Sequence, residues 1–181
     1  MQKKSPLYRM IVIAVLLALG MVLPFLTGQI PTIGQAISPL HIPAFIAGLT
    51  CGWGWGMALG LVLPILRSFV FGMPPLVAVA IPMAFELAAY AIVCGVLYPL
   101  LRGRMKRLPA MLAALIIAMV AGRIVGGAAK AIVMGITGSG FTFSMFISSY
   151  FVTTAVGALI HLIVVPVVVL ALEKAHLSPN A

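Results

Sequence analysis

The residues of this sequence that could do chemistry stand in segments that are otherwise apolar. Glu86 lies in "MAFELAAYAIV", residues 83–93, and is one of only two acidic residues in the chain. A charged group inside a bilayer costs at least about 2.5 kcal/mol and usually faces a bundle interior or a wet cavity. Other cationic or titratable side chains stand in the remaining apolar segments: His41, Arg67, Arg123 and Lys130. Together with Glu86, these residues predict a polar pocket between helices.

The charge balance of this set indicates which ligand such a pocket would bind. Cations outnumber the single acid, so the pocket would suit an anion such as a carboxylate, held by the planar fork of an arginine. A structural role stays open, since Glu86 and Arg123 could form an ion pair that locks two helices together. Lys130, close to a helix end, could instead extend to the headgroups. His161, alone on an apolar helix, is expected to be a hydrogen-bonded packing residue.

Motifs of enzymes are missing from the sequence. It holds no HExxH, GxSxG or P-loop pattern and no acid pair of the kind that an intramembrane hydrolase needs. Cys51 and Cys94 lie in apolar segments without neighbouring ligand residues, so they predict neither a metal site nor a disulfide. We expect a non-catalytic protein that cannot hydrolyse ATP by itself and that holds no metal or cofactor.

The composition of the chain indicates an integral membrane protein. Of its 181 residues, 64% are hydrophobic and 7% are charged, with a mean hydropathy of +1.26. One soluble core of this size could not hide so much apolar surface. Apolar runs continue to residue 172, so we expect no cleaved signal peptide. The formal net charge of +9 is interpreted as topology, because cytoplasmic loops collect Lys and Arg.

Apolar runs long enough to cross a bilayer predict one all-α transmembrane domain, residues 1–181, with six helices. A span needs about 20 apolar residues. The basic stretch "RGRMKR", residues 102–107, fixes its loop inside the cell, and both termini are then cytoplasmic. The segment 28–43 is rich in Pro and Gly and predicts an extracellular loop. The predicted spans are residues 8–27, 41–52, 54–71, 76–101, 108–136 and 143–172.

These spans place the polar residues at comparable depths. With a rise of 1.5 Å per residue, Glu86 should lie about 15 Å from the outer end of its span, close to the midplane. Arg123 should lie about 22 Å from the inner end of the fifth span. Arg67 falls about one turn from the outer end of the third span, and His41 starts the second. Glu173, the other acid, is expected near the C-terminal end where water can reach it.

Small residues at four-residue spacing mark two places where another helix could approach closely. Ala14 and Ala18 share one face of the first helix, and Gly52, Gly56 and Gly60 repeat the spacing. Internal packing is the simpler explanation for such spacing. The first helix is nevertheless suggestive of a partner surface, because its small face lies in a segment with no other polar feature.

Several short motifs occur in an order that resembles the substrate-binding S component of group II energy-coupling factor (ECF) transporters. The resemblance covers almost the whole chain and is closest to the S components assigned to pantothenate. It rests on Ala14-x-x-x-Ala18 in the first helix, then a Pro-rich outer loop, "PLHIPAFIAGL", a Gly-rich turn, "LPILRSFVFGMPP", "MAFELAAY" and "AGRIVGG".

The resemblance implies a fold, partners and a site. It implies a multi-pass protein of the bacterial plasma membrane that binds a vitamin or precursor near the outer face. Ala14 and Ala18 would dock on the transmembrane coupling subunit EcfT, which sits on two ATPases, and the protein would topple to release its ligand inside. The lid would include the segment from Gln29 to Leu40. The pocket would draw on His41, Arg67, Met73, Glu86, Arg123 and Lys130.

The resemblance leaves the ligand open. For pantothenate, Arg67 and Arg123 would suit the carboxylate and Glu86 would accept from the hydroxyls. For pyridoxine or a hydroxymethyl pyrimidine, Glu86 would be the direct contact and the arginines would be structural. Glu86 could also hold an arginine in position instead of touching the ligand. A further class is an autonomous secondary transporter coupled to protons through Glu86 and His161, against which the absence of repeat halves counts.

Overall fold

The computed structural model describes residues 5–27, 30, 34 and 36–179, and over these residues it consists of helices and their connections. A 3-10 turn, Leu23–Thr27, follows the first helix. Single π-helical turns, Leu76–Ala80 and Ser148–Val152, precede the fourth and the last helices. The α-helices are α1 (Pro6–Val22), α2 (His41–Cys51), α3 (Trp53–Phe71), α4 (Ile81–Arg102), α5 (Arg107–Ile136), α6 (Phe143–Ile147) and α7 (Ala155–Lys174).

Helix boundaries follow residues whose side chains or backbone suit a helix end. The Ser5 hydroxyl accepts from the Tyr8 N–H at 3.3 Å at the start of α1, and Thr142 caps α6 in the same way. Gly72, with a φ of 69°, ends α3 in the left-handed conformation that glycine adopts without a steric penalty. Gly52, with a φ of 94°, makes the single-residue turn between α2 and α3.

Five helical segments of the described chain are long and apolar enough to cross a membrane. They are Pro6–Leu26, Trp53–Phe71, Leu76–Arg102, Arg107–Ile136 and Phe143–Lys174. These correspond to five of the six predicted spans. The remaining one, residues 41–52, corresponds to α2, whose 11 residues rise only about 16 Å, roughly half of the hydrocarbon thickness. A count of six full spans is therefore not confirmed.

Helix α2 lies in the middle of the bundle, where it contacts α1, α3, α4 and α7. Every residue of this helix except Ile42 is buried. Its C-terminal end lies beside the start of α1, where Arg9 Nη1 donates to the Cys51 carbonyl at 3.4 Å. Its first residue, His41, starts the helix as predicted and lies about 15 Å from that end.

The segment before α2 enters the bundle to reach this depth. Leu40 and His41 are buried, and Ser38 adopts a positive φ of 50°. The Ala36 and Ile37 carbonyls pack against Gly157 of α7, where a Cβ would collide with them. Non-helical backbone is tolerated at membrane depth only where protein or a cavity surrounds it. Part of the predicted extracellular loop is thus an internal element, while Gln29 and neighbouring lid residues lie outside the described ones.

Helix α4 is central, and small residues of its neighbours face it. Gly48 of α2 approaches the Ala91 backbone, and Gly60 of α3 approaches the Ala88 backbone. Gly126 of α5 lies against Glu86, so that a Cβ built there would be 2.8 Å from the Glu86 Cβ. Gly56 and Gly60 of the spaced glycine motif are buried inside the bundle, which agrees with internal packing.

The two termini of the described chain lie at the same end of the bundle. The Tyr8 hydroxyl donates to the Leu177 carbonyl at 2.8 Å, which joins the start of α1 to the tail after α7. At this end Glu173 is buried, contrary to the expectation that water reaches it. It accepts from the Tyr98 hydroxyl at 3.0 Å and lies 3.7 Å from Arg102 Nη1 and 3.6 Å from Arg107 Nη1. Glu173 therefore joins α7 to α4 and α5.

Candidate functional site

A cavity of about 270 Å³ opens between the helices at the end of the bundle opposite the termini. Its walls are mostly apolar, with a small set of polar groups, which is the usual character of a small-molecule site. Of the residues predicted for the pocket, His41, Arg67, Met73, Glu86 and Lys130 line this cavity. Arg123 lines a smaller recess that adjoins it and shares His41 and Glu86 with it.

Both π-helical turns of the described chain form walls of the cavity. Ala80 N–H donates to the Pro75 carbonyl at 2.9 Å, and Thr153 N–H donates to the Ser148 carbonyl at 2.9 Å, each across five residues. Ala78 and Val79 of the first turn, and Tyr150 of the second, line the cavity. Single π turns inside helices occur frequently at functional sites. The irregular backbone just before α4 and α7 therefore lies where a ligand would bind.

Glu86 is held by its own helix and by α2. The hydroxyl of Tyr90, one turn further along α4, donates to Glu86 Oε1. His41 Nε2 lies 3.6 Å from the same oxygen. Among the described residues Glu86 makes no direct ion pair with Arg123, so the structural pair considered from the sequence does not form. The carboxylate instead faces the cavity beside His41.

Two buried histidines meet at the Ser38 carbonyl. His41 Nδ1 lies 3.0 Å from this oxygen and His161 Nε2 lies 3.2 Å from it. The two rings stack with centroids 5.7 Å apart, and Phe45 packs against His161 at 5.6 Å. His161 is thus a hydrogen-bonded packing residue, as expected, but it packs directly against a residue of the cavity.

Arg67 is buried at the cavity wall, with its side chain fixed by α1 and the turn after it. Its Nη1 donates to the Met21 carbonyl. Its guanidinium carbon lies 5.1 Å from the Phe25 ring centroid and 5.0 Å from that of Phe71. The planar guanidinium can stack on aromatic faces in a way that a lysine ammonium cannot. Met73, just after α3, lines the cavity beside it.

The two cations of α5 differ in what they contact. Arg123 Nη2 donates to the Thr154 carbonyl at 3.5 Å and lies over the Phe151 ring at 5.3 Å. It therefore ties α5 to α7 from within the recess. Lys130 lies 5.9 Å from the Phe141 ring centroid and lines the cavity.

Ala14 and Ala18 of α1 are both exposed on the surface of the bundle. Exposed apolar neighbours surround them on the same helix, namely Ile11, Val15 and Leu19. Only 17% of the most apolar stretch of this helix is buried in the structure, the lowest share among the five candidate spans. The face is therefore available either to lipid or to another helix.

Several residues of the site were not found from the sequence. At the floor of the cavity the Ser38 carbonyl contacts His41, and the Tyr90 hydroxyl donates to Glu86. Ser149 and Thr153, which carry hydroxyl groups, line the wall. Tyr90 had a detectable signal, since it lies four residues after Glu86 on a helix and so shares its face. Ser38 had none, because its partner His161 lies 123 residues away.

The family comparison agrees with this architecture. The model of the family described as "ECF transporter, substrate-specific component" matches residues 8–170. The chain belongs to this family. It is therefore an S component, the substrate-binding subunit of a transporter. Such a subunit is a multi-pass membrane protein and works with a transport module. Searches of the curated proteins and of the solved structures returned no match.

Proposed function

We propose that this S component captures pantothenate, a small water-soluble vitamin, in the cavity beside Glu86. The observation that carries the proposal is that one cavity is lined both by cations and by a carboxylate with a neighbouring histidine. Pantothenate carries a carboxylate at one end and hydroxyls at the other. A site with cationic donors in its lining and an acceptor beside them complements such a molecule.

The carboxylate of pantothenate would bind to Arg67 and Lys130. This differs from the pairing of Arg67 with Arg123 inferred from the sequence, because Arg123 lies in the recess and contacts Thr154 and Phe151. Arg67 is held rigid by two aromatic rings, so little rotamer entropy is lost when it binds an anion. Lys130 adds a second positive charge to the lining of the cavity.

The hydroxyls of pantothenate would bind at the floor of the cavity. Glu86 would be a direct acceptor, since within the described chain it makes no ion pair with an arginine. The alternative ligands, pyridoxine or a hydroxymethyl pyrimidine, would use the same floor without needing the cations. A preference for pantothenate therefore depends on Arg67 and Lys130.

Transport would depend on partner subunits. The exposed Ala14 and Ala18 face would dock on an EcfT-type coupling protein that carries two ATPases, and the S component would topple to release the ligand inside. The basic residues between α4 and α5 would lie in the cytoplasm of a bacterial cell, together with both termini. Arg102, at the end of α4, and Arg107, at the start of α5, lie at this same end of the bundle.

Uptake of radiolabelled pantothenate by cells that lack their own route tests this proposal. We expect uptake when the chain is produced together with EcfT and both ATPases, and none when the ATPases carry inactive nucleotide sites. Uptake by the chain alone, driven by a proton gradient, would instead favour a secondary transporter working through Glu86 and His161. ATPase-dependent uptake of pyridoxine, without uptake of pantothenate, would support the transport mechanism and show that pyridoxine is the ligand.

A further inference from the structure

Three of the four tyrosines in the chain donate their hydroxyl hydrogen to an oxygen of the protein: Tyr8, Tyr90 and Tyr98. The fourth, Tyr150, is only 8% exposed, and within the described chain its hydroxyl makes no hydrogen bond. Buried polar groups are almost always hydrogen-bonded, because an unpaired one loses its contacts with water and gains nothing in return. The Tyr150 hydroxyl is therefore an exception with a cause to be found.

The Tyr150 hydroxyl opens onto the cavity. Tyr150 is one of the residues that line it. Among the described residues, Glu173 Oε2 is the fully enclosed side-chain oxygen that lacks a hydrogen bond, so the Tyr150 oxygen, which also lacks one, is not fully enclosed. Because the rest of Tyr150 is buried, the cavity is the open space that this oxygen faces.

The ring of Tyr150 is held in place without help from its hydroxyl. It packs against Phe146 with centroids 5.5 Å apart, and Phe146 lies against Gly127 of α5, where a Cβ would collide with its ring. The Thr154 hydroxyl donates to the Tyr150 carbonyl at 2.6 Å, at the end of the π turn that carries Tyr150. A group that is positioned before a ligand arrives loses little entropy when it binds.

The other hydroxyls of this wall are less suited to bind a ligand. Thr153 donates its hydroxyl hydrogen to the Ser148 carbonyl at 3.0 Å, and that of Thr154 goes to Tyr150. Ser149 lines the cavity but is only partly buried, so water can satisfy it. Tyr150 thus supplies the buried hydroxyl of the wall whose hydrogen the described part of the protein leaves unused.

We propose that Tyr150 is a ligand-binding residue whose hydroxyl donates to a neutral acceptor of the ligand, an amide oxygen or an aromatic ring nitrogen. The charged groups of the cavity leave this role open, because Arg67 and Lys130 suit a carboxylate and Glu86 suits hydroxyls. The inference rests on the proposed function only for the identity of the ligand. Pantothenate has an amide between its carboxylate and its hydroxyls, and pyridoxine and hydroxymethyl pyrimidines have ring nitrogens.

The Tyr150→Phe variant tests the inference, because it removes one oxygen and keeps the ring against Phe146. Calorimetry in detergent measures its affinity for whichever of pantothenate, pyridoxine and hydroxymethyl pyrimidine binds the unmodified protein. We expect the affinity to fall by about three- to tenfold, the loss that corresponds to one neutral hydrogen bond. The thermal unfolding midpoint without ligand should not fall, since no hydrogen bond of the described protein is lost.

Tyr98→Phe is the matched control, because it removes the same oxygen from a buried tyrosine whose hydroxyl donates to Glu173 at 3.0 Å. It should show the opposite result. We expect its unfolding midpoint without ligand to be lower by about 2–4 °C and its ligand affinity to stay within about twofold of the unmodified protein. A residue with a purely structural role would behave as Tyr98 does.

An unchanged ligand affinity in Tyr150→Phe would contradict the inference and leave the proposed function intact. A lower midpoint without ligand, as in Tyr98→Phe, would also contradict it, because the Tyr150 hydroxyl would then have a partner inside the protein. If none of the three ligands binds the unmodified protein, the proposed substrates are wrong, and the ligand-free midpoints of the two variants decide the inference.

Discussion

Glu86 accepts a hydrogen bond from Tyr90, one turn along the same helix, while His41 lies 3.6 Å from the same carboxylate oxygen. Within the described chain the carboxylate is thus held by a phenol and an imidazole and not by an arginine. It is oriented toward the cavity before a ligand arrives. Such preorganisation reduces the entropy that binding would otherwise cost. This relationship explains how one acid can stand near the middle of a membrane helix.

Adding a methyl group at Gly126 should displace this carboxylate without removing any polar atom. The new Cβ would lie 2.8 Å from the Glu86 Cβ and 3.1 Å from its Oε2. We expect Gly126→Ala to weaken ligand binding by about tenfold, roughly 1.4 kcal/mol. Gly135→Ala on the same helix, where a Cβ meets nothing within 4 Å, is the matched control. Equal affinities of Gly126→Ala and Gly135→Ala for the ligand, measured by calorimetry, would show that Glu86 is not part of the binding site.

The two cations that line the cavity, Arg67 and Lys130, should bind the carboxylate of the ligand. Pantothenol, in which an alcohol replaces the carboxylate of pantothenate, has nearly the same shape without the charge. We expect the unmodified protein to prefer pantothenate by about tenfold or more, since hydrogen bonds to charged groups contribute about 1.5–3 kcal/mol. Arg67→Met should reduce that preference most and Lys130→Met less, because Arg67 is the more rigid of the two.

Arg67→Met requires a check on folding, because Arg67 packs between Phe25 and Phe71. A thermal unfolding midpoint in detergent provides it, and Arg67→Lys, which retains the charge, gives a second comparison. An unchanged preference for pantothenate in a folded Arg67→Met and Lys130→Met double variant would mean that the carboxylate binds elsewhere.

A bulky residue on the exposed face of α1 should separate binding from transport. We expect Ala14→Trp to bind ligand with normal affinity but to support less than about a tenth of normal uptake, because close helix approach needs small residues. Ala128→Trp, at another exposed alanine of the bundle, is the control and should transport normally. Coelution of the purified variants with EcfT measures docking directly. Normal docking of Ala14→Trp would place the partner surface elsewhere.

Neutralising Glu173 should loosen the end of the bundle that holds the termini. The carboxylate joins Tyr98, Arg102 and Arg107, but Arg107 is 59% exposed in its side chain, so water screens part of that interaction. We expect Glu173→Gln to reduce stability by about 1–3 kcal/mol and to lower the unfolding midpoint in detergent. Lys174→Gln, at the exposed neighbouring position, should change it little. Ligand affinity should stay the same in both variants.

The long helices could be predicted from the sequence because their signal is local. Runs of apolar residues end at glycine, proline or basic clusters, and the spans at residues 108–136 and 143–172 agree with Arg107–Ile136 and Phe143–Lys174. The position of Glu86 inside its helical segment, Leu76–Arg102, could also be predicted from this local signal. Its neighbours on the same helix face could also be derived, since Tyr90 lies four positions further on.

The interior of the site could not be predicted in the same way. Helix α2 was predicted as a span over residues 41–52, but its 11 residues are nearly all buried by other helices and cover only about half of the hydrocarbon thickness. The descent of the preceding segment depends on contacts of Ser38 with His161 and of Ile37 with Gly157. Both join parts of the chain more than a hundred residues apart. No local pattern encodes such contacts.

Calorimetric titration of the purified protein with pantothenate, in detergent and without partner subunits, tests the central claim most directly. It should be run on the unmodified protein and on Glu86→Gln, which keeps the side-chain shape and removes the charge. We predict saturable binding at one site, weakened by about tenfold or more in Glu86→Gln, roughly 1.4 kcal/mol. Pantothenate binding with the same affinity to both proteins, or no binding of pantothenate to a folded unmodified protein, would contradict a pantothenate site at Glu86.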